Sequence, residues 1–406
     1  MSINTIAFAI PGIFLLLGAE YYWSRKKKKD FFTFSSSVSN ISIGIAERMT
    51  QLFFAGYFIL LFNHIQKNYA FLEIQQSFLS WIILFLLTDF LWYWYHRLSH
   101  QINILWGAHI VHHQSEDFNL TVSLRITLFQ AVVRLFFGLA LPFIGFPVEM
   151  IAVTVSILGV YQFFIHTRAI HKLGILEDVL VTPSHHRVHH GSNEQYLDKN
   201  YGGVLIIWDR LFNTFQREEE EVTYGLTKQV GSSSFLWLHF HFWLTLKENM
   251  RYTPGILNKL KLLFVGPDKL NYDHEETIKQ RFLSKNKKQS TISKDTYPQL
   301  YVYIRMQLAL SLCLLFLIYL IDFSLAFRII SAIFILITLI NCGAVLEQKR
   351  WVFPLEITRF LLIYTAAVLM MEISFLWICL PLVIFLLLKY YSFMQYHYFK
   401  VLYSQS

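Results

Sequence analysis

Of the 406 residues, 16 are His, and ten of these form four groups: His96 and His100; His109, His112 and His113; His166; and His185, His186, His189 and His190. Residues four apart share a helix face, so His96/His100, His109/His113 and His186/His190 can each aim two imidazoles at one point. His112 and His189 sit one residue off those faces. The H-x-x-H-H arrangement occurs twice, at 109–113 and 186–190, and each copy can offer ligands to two adjacent metal ions rather than chelate one. Nine or ten imidazoles are too many for one centre and suit two centres of four or five ligands each. Structural zinc stops at four ligands, and imidazole alone does not choose among zinc, copper, iron and nickel. Neutral ligands leave the charge of two dications uncompensated, so nearby carboxylates are candidates to orient imidazoles or balance charge. Asp89 leads that group, Glu116 and Asp198 are further candidate catalytic carboxylates, and Asp117 and Asp209 stand behind them.

The elements that must position these side chains belong to a membrane protein. Only 15% of residues are charged, against about 25% in average soluble chains, while 55% are hydrophobic, with 38 Phe, 22 Tyr and 10 Trp. A hydrocarbon core needs roughly 20 apolar residues per helix. Nine candidate spans lie near 5–23, 49–65, 77–95, 128–146, 148–166, 302–321, 324–342, 358–371 and 373–391. The first is no cleavable signal, and the basic run Arg25 to Lys29 behind it is expected to stay cytoplasmic. That anchor puts Tyr95 and His166 at the cytoplasmic face. It also leaves one basic residue, Lys67, in the outer segments 66–76, 145–147, 322–324 and 371–374. All four His groups can therefore converge at one membrane–cytosol boundary.

The expected fold class is all-α: a polytopic membrane helical bundle with a cytoplasmic His-rich helical cap holding a di-metal site. Its segments are N-terminal spans at 1–76, a catalytic core at 77–230, a cytoplasmic or interfacial cap at 231–300 and C-terminal spans at 301–406. The acidic run 218–221 reads as a solvated face, 279–294 as a Lys-rich stretch, and the aromatic stretch 235–246 as an interfacial segment.

Cys313, Cys342 and Cys379 lie in apolar runs without a C-x-x-C pair, which removes a disulfide scaffold, a thiolate zinc site and an iron–sulfur cluster. There is no G-x-G-x-x-G and no Walker loop. The net charge of +8 comes from basic residues flanking apolar spans, which suits anionic lipid better than nucleic acid. Ionisable groups at membrane depth are usually functional, and a paired redox metal fed from lipid points to oxygen activation against an unreactive C–H bond. A His-rich metal transporter is the reading from another class, but transporters hold ligands near the bilayer midplane, not at span ends.

The H-x3-H group and the two H-x2-HH groups resemble the fatty acid hydroxylase and sterol desaturase superfamily of membrane di-metal oxygenases. Asp89 to His100, HIVHHQSEDFNLTVSLR at 109–125, YQFFIHT at 161–167 and TPSHHRVHHGSNEQYLDKNYGGVLIIWDRLFNTFQRE at 182–218 are similar to its alkylglycerol monooxygenase branch, which cleaves ether lipids. The resemblance implies two Fe ions, O2 as co-substrate, and tetrahydrobiopterin. It implies hydroxylation of the carbon next to the ether oxygen, giving a hemiacetal that falls apart to a fatty aldehyde and a glycerol derivative. The implied ligands are His96, His100, His109, His112, His113, His166, His186, His189 and His190, with His185 as a neighbour. Superfamily members often have H-x3-H at the third group; here position 170 is Ile and the next His is His171, so either one metal has an open position, which is favoured, or His171 substitutes after a local bulge. No haem-binding H-P-G-G, flavin or nicotinamide motif is present, so a diffusible reductant or a separate electron donor is implied. A fatty-acid, sterol or carotenoid hydroxylase or desaturase of the same superfamily is the alternative enzyme. The expected location is a bacterial inner membrane or a eukaryotic endoplasmic reticulum, with the metal site facing the cytoplasm.

Overall fold

A computed structural model describes residues 5–273, 275–283, 296–319, 323–371 and 374–403. From 284 onward, the Lys-rich stretch at 279–294 lies outside the described residues, as do parts of the turns expected at 322–324 and 371–374. Among the described residues the fold is all-helical, with two isolated β-bridges, Leu180 to Leu205 and Gly191 to Tyr224. Among the described residues each of the nine apolar runs is mainly helical, with the run at 128–146 split into Leu128–Gly138 and Ala140–Ile144. By length and composition, two helices can cross a membrane alone, Phe78–Gln101 and Leu325–Leu346. Two more spans follow if the bent pairs Phe34–Gln51 with Gly56–Tyr69 and Phe375–Lys389 with Tyr391–Tyr403 each count as one.

The chain divides into two compact units. One comprises Phe14–Gly231 and Leu238–Gln280; the other comprises Ser232–Trp237 with the described residues of 1–13 and 281–406. In the second unit Glu356 binds Arg305 and Arg359 at 3.1 and 2.8 Å, and Asn341 donates to it at 2.6 Å.

The first unit carries all four His groups. Its helix Phe78–Gln101 contains no Gly or Pro and starts with a reciprocal cap: Ser77 Oγ accepts from Ser80 N–H, and Ser80 Oγ from Ser77 N–H. Such a cap contributes about 1 kcal/mol. Leu84 packs with Leu141, Phe146, Met150 and Ile151 from the hairpin Ala140–Ile144 and Val148–Phe164. The hairpin turns at Gly145, where φ is +121° and a Cβ would lie 1.9 Å from the Leu72 carbonyl oxygen, so only Gly fits.

Two segments differ from the expected pattern. The second helix starts at Phe34, well before the apolar run at 49–65, because its first half buries a polar face. Asn40 in that half donates to Thr121 Oγ1 and accepts from Arg125. The stretch 235–246 is no surface anchor: it forms the start of helix Phe235–Tyr252 and is mostly buried in protein. Gln114 donates to its Leu238 carbonyl at 3.0 Å, and Trp243 covers Gly107 so closely that a Cβ there would lie 2.7 Å from the indole.

Candidate metal centre

Four short stretches of backbone bring the imidazoles together. Helix Phe78–Gln101 supplies His96 and His100 from its last turns, and Ile102 breaks it so that Asn103–His113 can turn back carrying His109, His112 and His113. Asn103 pins the break: its N–H donates to Val265 O at 2.9 Å and its side chain to Leu262 O at 2.8 Å. His166 follows the end of Val148–Phe164. His186, His189 and His190 come from Pro183–His189, with Pro183 at the first helical position, where a missing N–H costs nothing.

The nine side chains sort into two groups whose nitrogens lie within 4.8 Å of one another: His96, His100, His109, His113 and His189; and His112, His166, His186 and His190. The groups abut through chain neighbours, His112 beside His113 and His189 beside His190, with ring centroids 5.3 and 5.4 Å apart. All nine rings are buried or nearly so.

Protein carbonyls fix the outward ring nitrogens. His96 Nδ1–H donates to Tyr201 O at 2.8 Å, His112 to Arg125 O at 3.2 Å, His166 to Gln162 O at 2.6 Å and His189 to Lys199 O at 2.9 Å. Gln130 meets His109 Nδ1 at 3.4 Å through its amide nitrogen, while its Oε1 is buried and unpartnered. Turning that amide over lets Oε1 accept the His109 proton and satisfies both groups. With Nδ1 protonated, each neutral ring keeps a bare lone pair on Nε2.

Those bare nitrogens crowd together. Nε2 of His96 and His113 each lie 3.1 Å from Nε2 of His109. Nε2 of His166 lies 3.2 Å from that of His112 and 2.9 Å from that of His186, and His190 meets His112 at 3.1 Å. Nε2 of His100 and of His189 have no protein partner. Where carbonyls hold both Nδ1 protons, as for His112 and His166, the facing Nε2 atoms are both acceptors and repel unless a cation sits between them. Two ligands at right angles with metal–nitrogen bonds of about 2.1 Å lie roughly 3.0 Å apart, so the spacing fits a metal in each group. Burial first, and the neighbouring imidazoles second, hold His109, His112, His113, His186 and His190 well below ordinary imidazole basicity. Burial brings His166 down to about 4. Ligating imidazoles must be unprotonated, and these are.

The carboxylates take other places than the spacing suggested. Asp89 touches no imidazole; it accepts from Val204 N–H (2.8 Å), Leu205 N–H (3.1 Å) and the Trp208 indole (2.9 Å). Asp209 does the same for Tyr201 and Gly202 N–H at 2.7 and 2.8 Å, and burial lifts its carboxyl to about 6. Together they clasp the loop whose Tyr201 carbonyl orients His96. A Cβ on Gly202 would lie 2.9 Å from Asp209 Oδ2, and one on Gly203 would lie 2.6 Å from Asp89 Oδ1, which is why the loop reads Tyr-Gly-Gly. Asp198 does reach a ring, His100 Nδ1 at 3.7 Å, and that contact holds its carboxyl below the usual range. Glu116 is exposed, and Asp117 caps Thr33 instead.

His185 joins neither group. At the third position of its helix its Nδ1 accepts from Thr182 N–H, so it serves as the cap that a Glu or Gln usually provides, and its ring packs on Phe215. His171 is exposed and outside both groups, which leaves the smaller one with four imidazoles.

Three supports were invisible to spacing. Arg125 is buried without a carboxylate; it donates to Val111 O, Asn40 and Gln114, and burial lowers it to about 9. Glu20 bridges Thr167, next to His166, and Leu120 N–H. Arg187 forms a bidentate pair with Glu218 at 2.7 and 2.6 Å and donates to the carbonyls of Thr167 and Ile170. Glu218 is thus no solvated charge, although Glu219, Glu220 and Glu221 are exposed.

Residues 81–214 match the fatty acid hydroxylase family model. The chain is 40% identical to human alkylglycerol monooxygenase over 232 residues, 57% of this chain and 52% of the relative. It is 38% identical to the Xenopus tropicalis enzyme over 255 residues, 63% and 57% of the two chains. A more distant match is the ornithine lipid hydroxylase of Rhizobium tropici, 26% identical over 148 residues, covering 36% of this chain and 45% of that one. The chain spans about half the length of the alkylglycerol monooxygenases it matches, and no solved structure matches it. The stretch that holds both histidine groups thus matches the fatty acid hydroxylase family model, and the relatives it resembles support the alkylglycerol monooxygenase-like branch.

Proposed function

We propose that this chain is a membrane-bound di-iron lipid monooxygenase that hydroxylates the carbon beside the ether oxygen of an alkylglycerol. The observation that carries the reading is the pair of abutting imidazole groups, with Nε2 atoms 2.9–3.2 Å apart and the Nδ1 atoms of His96, His112, His166 and His189 held by carbonyls. In this reading His96, His100, His109, His113 and His189 hold one iron, and His112, His166, His186 and His190 the other. When bound, the iron pair supplies reduction of dioxygen and insertion of one oxygen atom into a C–H bond, with the second oxygen leaving as water. Tetrahydrobiopterin is the proposed source of the two electrons.

The chain's own residues do the rest. Carbonyls of Tyr201, Arg125, Gln162 and Lys199 fix the tautomers of His96, His112, His166 and His189 before any metal arrives, which limits the reorganisation that binding requires. Phe118, stacked on His166 and on Tyr224, walls the four-imidazole group from water. The product is a hemiacetal, and moving its hydroxyl proton to the ether oxygen releases a fatty aldehyde and a glycerol derivative. The proposed catalytic core is 77–230, with spans at 1–76 and 301–406 and a cap at 231–300. The basic run after the first helix supports a cytoplasmic centre.

The Rhizobium relative supports a second reading, hydroxylation of another lipid by the same centre. The test uses the purified chain in phosphatidylcholine nanodiscs. The proposal expects two irons per chain and oxygen-dependent aldehyde release from a hexadecylglycerol that requires added tetrahydrobiopterin. Turnover of a fatty acid, sterol or ornithine lipid without pterin would favour the second reading, and metal release without oxygen uptake would reject both.

A further inference from the structure

Helix Ile256–Phe264 carries an apolar stripe that no part of the described chain covers. Ile256 is 69% exposed, Leu257 79%, Leu260 45% and Phe264 65%. At 100° per residue these four fall within about 100° of the helix circumference. Lys261 is exposed next to that arc, and Asn258 is exposed on the opposite side. The segment begins sharply at Gly255, whose φ is +80°. In water such a face would be a liability. With nine residues the helix is too short to span a bilayer.

Its height relative to the membrane is fixed independently. The last turn is tied to the junction after the spanning helix Phe78–Gln101: Asn103 N–H donates to Val265 O at 2.9 Å and its side chain to Leu262 O at 2.8 Å. The 24 residues of the spanning helix cover about 36 Å, more than the roughly 30 Å hydrocarbon core. Gln101 and the residues that follow it therefore sit at the headgroup level, and the short helix is held there with them. The exposed apolar side chains Ile82, Ile83 and Leu86 lie in the other half of the spanning helix, about 22 Å or more along its axis from Gln101, where acyl chains can cover them.

We infer that Ile256–Phe264 lies in the plane of the bilayer interface, its Ile256, Leu257, Leu260 and Phe264 face inserted at the headgroup–acyl boundary and Lys261 directed at anionic headgroups. The occupant of the stripe is thus the lipid surface. Because Asn103 is the first residue of the helix that carries His109, His112 and His113, the strap fastens the membrane surface directly to that part of the centre. The inference concerns placement and holds whatever lipid the centre oxidises.

The experiment uses the full chain with Cys313, Cys342 and Cys379 replaced by Ser, and a fluorescent thiol label at Leu257→Cys, Leu260→Cys or Asn258→Cys in turn. All three positions are exposed, so the fold tolerates the label; circular dichroism at equal concentration checks this. The proteins are reconstituted in vesicles of phosphatidylcholine and phosphatidylglycerol at three to one. The expected result is that labels at 257 and 260 are quenched by lipids carrying a nitroxide near the top of the acyl chain. Aqueous iodide should quench them about fivefold less than the label at 258, as for an interfacial helix. Equal iodide quenching at all three positions would overturn the inference by leaving the stripe in water. Protection of 257 and 260 from both quenchers would overturn it equally, because protein would then be the cover.

Discussion

Glu218→Ala is the sharpest probe of how the second imidazole group is held. Glu218 binds Arg187 through two hydrogen bonds, and Arg187 sits between His186 and His189 while donating to Thr167 O and Ile170 O beside His166. One carboxylate thus joins two separate ligand-bearing segments. The Arg187 side chain is 6% exposed and that of Glu218 19%. Removing one partner of a buried pair costs about 3–5 kcal/mol because the other charge is stranded. The two carbonyls left on Arg187 and the partial exposure of Glu218 bring this to about 2–3 kcal/mol. If that cost falls on the arrangement that accepts metal, affinity at His112, His166, His186 and His190 weakens by roughly 30- to 150-fold, in line with the 10- to 100-fold usual for groups that hold ligands in place.

The assay is iron retention by the purified protein against graded concentrations of a chelator, with Glu219→Ala, an exposed neighbour, as control. One iron should leave Glu218→Ala at far lower chelator while the other, at His96, His100, His109, His113 and His189, is affected less. Retention equal to that of the unaltered chain would refute the reasoning. So would an equal loss in Glu219→Ala, which would make the effect one of general surface charge.

Other outcomes follow from the same geometry. His109→Ala should abolish turnover and lower iron content with the protein still in the membrane, whereas His185→Ala should lose about 1 kcal/mol of stability from its cap and keep its iron. Gly203→Ala places a methyl 2.6 Å from Asp89 Oδ1 and 2.8 Å from Trp92; it should cost about 1–3 kcal/mol, read as a lower unfolding temperature with iron lost in parallel. In the metal-free protein, stability should fall as pH drops from 6.5. The unfolded imidazoles take up protons there, while His166 resists until about 4, so the unfolded state binds more protons and acid favours it. Urea midpoints measured from pH 7.5 to 5 check the sign, and a midpoint that rises on acidification would reverse it.

Legibility divides by what a residue does with its neighbours. The clustering of the nine imidazoles was readable because helical spacing of four brings two rings to one face. The hydrophobic runs were readable because a hydrocarbon environment tolerates little else. Asp89 was chosen for its distance from His96 along the chain, but its partners lie 115, 116 and 119 residues away, and no local pattern specifies such a pairing. The Tyr-Gly-Gly of 201–203 carried the missing signal. Consecutive glycines in a loop beside histidines mean that something approaches the backbone too closely for a Cβ, and here that is a pair of buried carboxylates. His185 misled for the complementary reason: its residue type suits a metal, but the position after Thr-Pro-Ser is a capping position, and position decided its role. Glu218 was hidden among three exposed glutamates, and only the partner it finds 31 residues back distinguishes it. The clustering of the imidazoles is therefore local information and their orientation is not. Several orienting groups come from the loop folded over the helices, so the arrangement of the candidate site depends on the stretch 198–218 as well as on the histidines themselves.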